Sequence, residues 1–237
     1  LPASNTHPPP PAPLPPTSYA VFCFKKFFFN DTATTEIYTF IASSAASDVY
    51  KRQDFPILGK IGMTDGIKDG LHFDEALEAA IMFDQGGIDA LICSGGTSSF
   101  NPMVYFRGDP LYKGLIEVEK NPITRLGLKL IGSRMFKEYP YEELYFLEDA
   151  KKIRDKVNCQ MIYIGGCTEL ESVEKLMAEG FDFIQMGRPL IKDPAFVNNA
   201  RGNPQYRNGC IHCNKCAALI EAPGGVYCPL NVEGKVS

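Results

Sequence analysis

Four cysteines near the end of the chain are the residues whose types and spacing point most directly to chemistry. Cys210, Cys213, Cys216 and Cys228 form the pattern C-x₂-C-x₂-C-x₁₁-C. Thiolates are soft ligands that suit an iron–sulfur cluster or zinc, and short spacings let one loop wrap around the metal. Three cysteines within seven residues, followed by a fourth after Gly224-Gly225, therefore predict a metal site.

The other cysteines and a nearby histidine fit this interpretation. His212 lies between two of the predicted ligands; it is an alternative ligand, but we expect a bystander. Cys93, Cys159 and Cys167 lie at or near predicted strands, and we expect them to be small buried hydrophobic residues. Because four of the eight cysteines crowd into residues 210–228 and a secreted disulfide scaffold would spread them out, we expect a cytosolic, reducing compartment.

Two glycine-containing segments about 20 residues apart are candidates for binding an anion. Gly165-Gly166 would let backbone N–H groups approach an anion without interference from a Cβ atom. Gly187 would do the same on the next strand, and the Arg188 guanidinium suits bidentate contact with a phosphate. The alternative is that the glycines mark tight turns and Arg188 pairs with a surface carboxylate. Their occurrence together at successive strand ends favours phosphate.

A predicted alternation of strands and helices positions these residues. Short apolar runs predict strands over 55–61, 88–93, 161–164 and 181–186. The first predicted helix covers residues 75–83, with Asp74 as its cap and Gly86-Gly87 at its end. The second covers residues 146–157. The third begins with Thr168 and Glu171 as a capping box, runs through Met177 and ends at Gly180. Residues 97–146 look less regular and rich in aromatic residues, as in a covering loop. Four such βα units indicate an α/β fold with a parallel sheet, half of a (β/α)₈ barrel.

At this point the sequence resembles a known family. The segments MIYIGG and EGFDFIQMGRPLIKDPAF are similar to the C-terminal FMN-phosphate segment of the Old Yellow Enzyme family, and FPILGKIGMTDG and GGIDALICSGG resemble its fifth and sixth barrel strands. The resemblance covers about residues 54–231. It implies the C-terminal half of a TIM barrel in which Gly165, Gly166, Gly187 and Arg188 bind the FMN phosphate. Lys60 falls where the family has a basic residue against the flavin N1/O2 edge, where a cation favours the anionic reduced flavin. The alternative for Lys60 is a solvated lysine at a strand end.

The resemblance also implies an activity. In the family, NAD(P)H reduces FMN, which passes hydride to a small electrophilic substrate with an activated C=C bond, such as an enone or enoate. Larger members hold a [4Fe–4S] cluster at a position and spacing closely similar to Cys210, Cys213, Cys216 and Cys228, although members without a cluster keep similar cysteines. The family's substrate-binding pair lies on the fourth strand, which this chain lacks, so no catalytic acid is named. Two alternatives remain open: a non-catalytic fragment with a structural Cys₄ site, and a barrel lyase or isomerase that binds a phosphorylated substrate.

Composition narrows the classes of partner. The formal net charge is −4, which gives no reason to expect nucleic acid or an anionic membrane as a partner. No apolar run reaches the roughly 18–20 residues that span a bilayer. The composition is that of a globular protein, with 45% hydrophobic and 22% charged residues, and a homo-oligomer is compatible with it.

The first 53 residues differ from the rest. Residues 1–21 hold eight of the 18 prolines, and residues 30–39 (NDTATTEIYT) and 43–53 (SSAASDVYKRQ) resemble translated sequencing-library adapters. We therefore expect three parts: residues 1–53, disordered or not native to the protein; residues 54–200, a partial FMN-binding barrel; and residues 201–237, a cysteine-rich tail. Because four strands leave two sheet edges unpaired, we expect the 237-residue chain, as written, not to turn over.

Overall fold

A computed structural model describes residues 56–97, 100–220 and 224–232. Four parallel strands form one sheet in the order in which they occur along the chain: β1 (Leu58–Gly62), β2 (Ala90–Ser94), β3 (Gln160–Ile164) and β4 (Phe183–Gln185). Each lies at or within a few residues of a predicted strand, so the α/β class and the parallel sheet are confirmed. The prediction for residues 1–53, including Cys23, lies outside the described residues.

Helices separate the strands and follow the last of them. They are α1 (Phe73–Gln85), α2 (Leu111–Val118), α3 (Pro122–Met135), α4 (Leu147–Arg154), α5 (Leu170–Ala178), α6 (Arg188–Lys192), α7 (Phe196–Gly202) and α8 (Lys215–Ala218), with short 3₁₀ turns at Pro102–Val104 and Pro229–Asn231. Helix α1 packs against β1 and α4. Strands and helices therefore alternate along the chain as predicted, and α4 and α5 pack against β3 and β4.

One face of the sheet forms the core. Ile61, Cys93 and Tyr163 stand at matching positions of β1, β2 and β3, and all three are almost completely buried. They pack with Leu147 and Leu176 of the helices in a single hydrophobic cluster. The prediction that Cys93 is a small buried hydrophobe is confirmed, and burial raises the pKa of its thiol to about 12.

The opposite face of the sheet is more open. Lys60, Ile92, Ile162 and Phe183 share one level across the four strands, so their side chains point to the same face. Phe183 is 51% exposed, and Leu58 on the same face is 45% exposed. Apolar residues on both faces are typical of a parallel sheet that is covered on both sides.

Two predicted helix caps are wrong by one or two residues. Helix α1 follows His72 rather than Asp74, and the Glu75 carboxylate accepts the His72 N–H at 3.0 Å. Helix α5 follows Glu169 rather than Thr168. The backbone explains both shifts: His72 and Glu169 have the extended conformation of an N-cap, with φ near −105° and ψ near 160°.

The connection over residues 97–146 is more regular than predicted, because it contains α2 and α3. Helix α3 was hidden by its unusual pattern: Ile123, Leu126 and Leu130 are 80%, 57% and 71% exposed. Its start was nevertheless encoded, since Asn121 accepts the N–H of Ile123 and Pro122 occupies the first helical position. Helix α2 packs against α8, so this connection reaches the cysteine-rich segment.

Asp84 at the end of α1 links that helix to β3, and its removal should destabilise the fold. Its carboxylate accepts the backbone N–H of Asn158 at 3.0 Å and of Cys159 at 2.7 Å. Burial pushes the pKa of Asp84 up, but these hydrogen bonds outweigh burial and lower the pKa below 3.8. We expect Asp84→Ala to reduce the free energy of unfolding by about 1–2 kcal/mol, allowing for solvent screening.

Urea denaturation at neutral pH measures this effect, and Glu78→Ala, an exposed carboxylate on the same helix, is the control. A group with a lowered pKa stabilises the fold above its unfolded pKa and loses that contribution as the pH falls through its folded pKa. The difference between the parent protein and Asp84→Ala should therefore shrink below pH 3.8. Equal stability of the two at neutral pH would refute the role of Asp84.

Candidate functional site

The four predicted phosphate-binding residues follow the carboxyl ends of two neighbouring strands. Gly165-Gly166 follows β3, and Gly187-Arg188 follows β4. Strands β3 and β4 are parallel neighbours, with Ile164 opposite Gln185. The two segments therefore leave the same edge of the sheet side by side, as an anion site built from consecutive βα junctions requires.

Lys60 lies apart from this edge, in the middle of β1. It is half-buried and pairs in register with Ile92 of β2. Its side chain belongs to the open face of the sheet. Lys60 therefore stands two strands away from β3, on the face opposite the hydrophobic core.

The Gly165-Gly166 turn requires glycine for structural reasons. Both residues have a positive φ, 122° and 71°. A Cβ on Gly165 would stand 2.5 Å from the Phe146 ring, and one on Gly166 would stand 2.7 Å from the carbonyl oxygen of Glu142. Close packing within the protein is thus sufficient to explain these two glycines.

Gly187 is different. Its φ is −112°, and a Cβ built there would have no atom of the described chain within 4 Å. Packing among the described residues therefore does not require a glycine at this position. A ligand that approaches the backbone closely would require one.

Arg188 is held by the protein rather than extended into solvent. Its Nη1 donates to the carbonyl oxygen of Arg107 at 2.6 Å and to Oδ1 of Asn214 at 2.7 Å. The predicted alternative, pairing with a surface carboxylate, is not what these contacts show. Nε and Nη2 are the nitrogens through which a two-point contact with a phosphate would have to run.

Tyr145 packs against the Gly165-Gly166 turn, and sequence reasoning missed it. Its ring packs on both Gly165 and Gly166, and its hydroxyl donates to the carbonyl oxygen of Tyr105 at 2.8 Å. Burial raises the pKa of Tyr145, while Arg188, Arg107 and the Gly166 N–H act in the opposite direction. Arg107 and Arg188 therefore both act electrostatically on this hydroxyl, so positive charge is concentrated near the Gly165-Gly166 turn.

His212 is part of a half-buried network, and its expected role as a bystander to the metal site stays a prediction. Its ring stacks on Tyr141, with centroids 3.2 Å apart, and its Nε2 lies 2.9 Å from Thr168 Oγ1. The Tyr141 hydroxyl also contacts Thr168, at 2.7 Å. Burial, with a smaller contribution from Arg188, lowers the pKa of His212 to about 4, so the ring is neutral at physiological pH. The signal available in the sequence was only its place within the cysteine pattern.

The N-terminus of α5 binds a carboxylate of the protein itself. Glu143 accepts the backbone N–H of Thr168 at 3.2 Å and the hydroxyl of Ser172 at 2.6 Å. The positive end of this helix is therefore already paired with a carboxylate of the protein. Because Glu143 already lies there and the Gly166 N–H acts on the Tyr145 hydroxyl, an anion at this edge would have to bind through the backbone at Gly187 and the arginines.

The four cysteines of the predicted metal site line one small cavity, together with Arg188 and His212. Cys210, Cys213, Cys216 and Cys228 are all free thiols. Burial raises the pKa of Cys210 and of Cys216, and neighbouring thiols of the group add to the effect. Yet nowhere in residues 56–97, 100–220 and 224–232 do three His, Cys, Asp or Glu side chains stand close enough to hold a metal ion. The cavity thus gathers the predicted ligands without setting them around a single ion.

The chain is similar to curated oxidoreductases. It is 36% identical over 166 residues to the 4,4'-dithiodibutanoate disulfide reductase of Rhodococcus erythropolis. The aligned segment covers 69% of this chain and 41% of that protein. It is 27% identical over 164 residues to the NADH oxidase of Thermoanaerobacter brockii. Here the aligned segment covers 68% of this chain and 20% of that protein. The chain therefore spans less than half the length of these relatives. No protein-family model matches it.

These similarities support an oxidoreductase, and the name of one relative includes NADH as the electron donor. In the part of the chain that the structure describes, no helix is both long and apolar enough to cross a membrane.

Proposed function

We propose that the protein is an FMN-dependent NAD(P)H oxidoreductase of the Old Yellow Enzyme type. Residues 54–200 would form the C-terminal half of its (β/α)₈ barrel, and residues 201–237 a cysteine-rich tail. The observation that carries the proposal is that the Gly165-Gly166 and Gly187-Arg188 segments follow neighbouring parallel strands, with no described atom within 4 Å of a Cβ built on Gly187. When bound there, FMN would accept hydride from NAD(P)H and transfer it to the substrate.

The open face of the sheet supports the barrel. Leu58 and Phe183 are about half exposed on that face, although parallel sheets normally have both faces covered. In a (β/α)₈ barrel the same face turns inward and packs against the side chains of the other strands. Lys60 would then face the barrel interior, where its charge can stabilise a reduced flavin.

Two classes of substrate fit the proposal. The family resemblance favours an activated C=C bond: one NAD(P)H and one proton reduce it to a single bond and give NAD(P)⁺. The Rhodococcus relative, at 36% identity, is named a disulfide reductase, which makes an organic disulfide the second candidate. In that reaction one NAD(P)H and one proton convert the disulfide into two thiols.

For the cysteine cavity we propose a [4Fe–4S] cluster rather than zinc. A single zinc ion with sulfur ligands at about 2.3 Å draws the sulfurs to within about 4 Å of one another. In a four-iron cluster each cysteine binds its own iron, so the thiolates stand further apart. The four cysteines line one cavity, and their spacing is similar to that of the cluster-binding members of the family, which supports the larger group.

The glycines provide a test that separates structure from ligand binding. Gly166→Ala forces a side chain into a left-handed backbone and toward the Glu142 carbonyl, so it should destabilise the fold by about 2–4 kcal/mol. Gly187→Ala meets no described atom, so it should leave stability within about 0.5 kcal/mol. If a phosphate lies against Gly187, this second variant should nevertheless bind FMN about tenfold or more weakly.

Thermal unfolding and FMN titration of both variants measure these effects in the protein expressed from its complete gene. A Gly187→Ala protein that is stable and binds FMN as tightly as the parent would place the phosphate elsewhere. The barrel lyase and isomerase alternative predicts no affinity for FMN in the parent protein either.

A further inference from the structure

Asn214 occupies a specialised position inside the cysteine-rich segment, directly after Cys213. Its side chain is almost fully buried, with 1% exposed. Its φ of 56° lies in the left-handed region, which asparagine adopts more readily than most residues do. A buried polar side chain on a left-handed backbone is costly unless its hydrogen bonds are satisfied.

The amide of Asn214 is fully engaged and can have only one orientation. Its Nδ2 donates to the carbonyl oxygen of Phe106 at 2.6 Å and to that of Asp109 at 2.7 Å. Its Oδ1 accepts Nη1 of Arg188 at 2.7 Å. Flipping the amide would place an NH₂ group against a guanidinium and an oxygen against two carbonyl oxygens. The oxygen atom must therefore face Arg188.

These contacts fix the guanidinium of Arg188 in space. Nη1 lies between two acceptors from different parts of the chain, Asn214 Oδ1 and the Arg107 carbonyl oxygen. A guanidinium is planar, so holding one nitrogen between two oxygens restricts the directions of the others. Two-point contact with a phosphate depends on that direction, whereas a mobile arginine would first have to lose side-chain entropy.

We propose that Asn214 is a positioning residue that sets Arg188 for the phosphate end of the flavin nucleotide. The cysteine-rich segment then serves the nucleotide site directly, in addition to any metal that its cysteines bind. The inference rests on the proposed FMN site. A second contact from the same segment, His212 to Thr168 at 2.9 Å, ties it to the neighbouring strand end after β3.

The test compares two flavins that differ in the phosphate. Asn214→Gly keeps the left-handed backbone accessible and removes the amide. In the protein expressed from its complete gene, its dissociation constant for FMN should rise about tenfold or more, the scale of a charge-assisted hydrogen bond, while that for riboflavin stays within about twofold. Asn208→Gly is the matched control: Asn208 is also buried and binds the carbonyl oxygen of Pro189, but its amide makes no hydrogen bond to the Arg188 guanidinium. It should keep the preference for FMN.

Two further measurements complete the test. In an Arg188→Gln background, Asn214→Gly should have no additional effect on FMN binding, because its effect passes through Arg188. Should the glycine variant not fold, Asn214→Asp, which also tolerates a left-handed backbone and keeps an oxygen facing Arg188, should retain the preference for FMN over riboflavin, and loss of that preference would count against the inference. Equal weakening of FMN and riboflavin, or additive effects with Arg188→Gln, would show a purely structural role and overturn the inference. A parent protein that binds neither flavin would instead refute the proposed function.

Discussion

Replacing Arg188 with glutamate is expected to weaken FMN binding about 100-fold or more. A phosphate carries about two negative charges, and one charge pair at 4 Å is worth up to about 4 kcal/mol at an effective dielectric near 20. The change removes an attraction and adds a repulsion, while solvent screening reduces both. Each loss of about 1.4 kcal/mol weakens binding tenfold.

The control for this experiment is Arg201→Glu, which makes the same change of charge at an exposed position on α7. Because a carboxylate at 188 would also face the oxygens of Arg107 and Asn214, Arg188→Gln is included as a milder variant that keeps a donor for them. Riboflavin affinity reports on the folded state of each variant. An Arg188→Glu protein that holds FMN as tightly as the parent would show that the phosphate site is wrongly placed.

Replacing Cys213 with alanine is expected to remove the metal completely. The parent protein, reconstituted anaerobically, should contain iron and sulfide in equal amounts, because a [4Fe–4S] cluster has four of each. Cys213→Ala takes away one of the four thiolates that line the cavity, and both elements should fall to background. Iron and sulfide analysis, together with visible absorption, measures the result.

Cys159→Ala is the matched control for the metal prediction. Cys159 is also a free, half-buried thiol, but it lies before β3, and burial raises its pKa to about 11. This variant should keep its full content of iron and sulfide. Stoichiometric zinc without iron in the parent protein would contradict the cluster and support a structural Cys₄ site.

The sheet was predictable because each strand is encoded locally. Apolar runs such as residues 161–164 and 181–186 require no knowledge of distant residues, and they coincide with β3 and β4 to within two residues. The N-caps were harder to predict, because which residue becomes the N-cap depends on the backbone conformation at the end of the preceding loop. Helix α3 escaped prediction because its apolar residues face outward instead of forming one buried stripe.

The contacts within the candidate site could not be predicted from spacing. Arg188 was identified from its place after a strand, but its partners are 81 and 26 residues away in the sequence. His212 and Thr168 are 44 residues apart, and only the fold brings them together. The cysteine pattern, by contrast, is local, and the structure gathers its four members around one cavity. Close spacing predicted that gathering, while the identity of any bound metal depends on the distances between thiols.

An anaerobic titration of the purified protein with NADPH, followed by visible absorption, tests whether the protein is a flavin-dependent oxidoreductase. We expect a flavin band that NADPH bleaches and that an added electron acceptor restores. Recovery with an enone would favour the activated C=C bond as the substrate class, and recovery with an organic disulfide would favour the second candidate. A protein expressed from its complete gene that is folded, shows no flavin band and takes up no added FMN would refute the proposed flavin-dependent function.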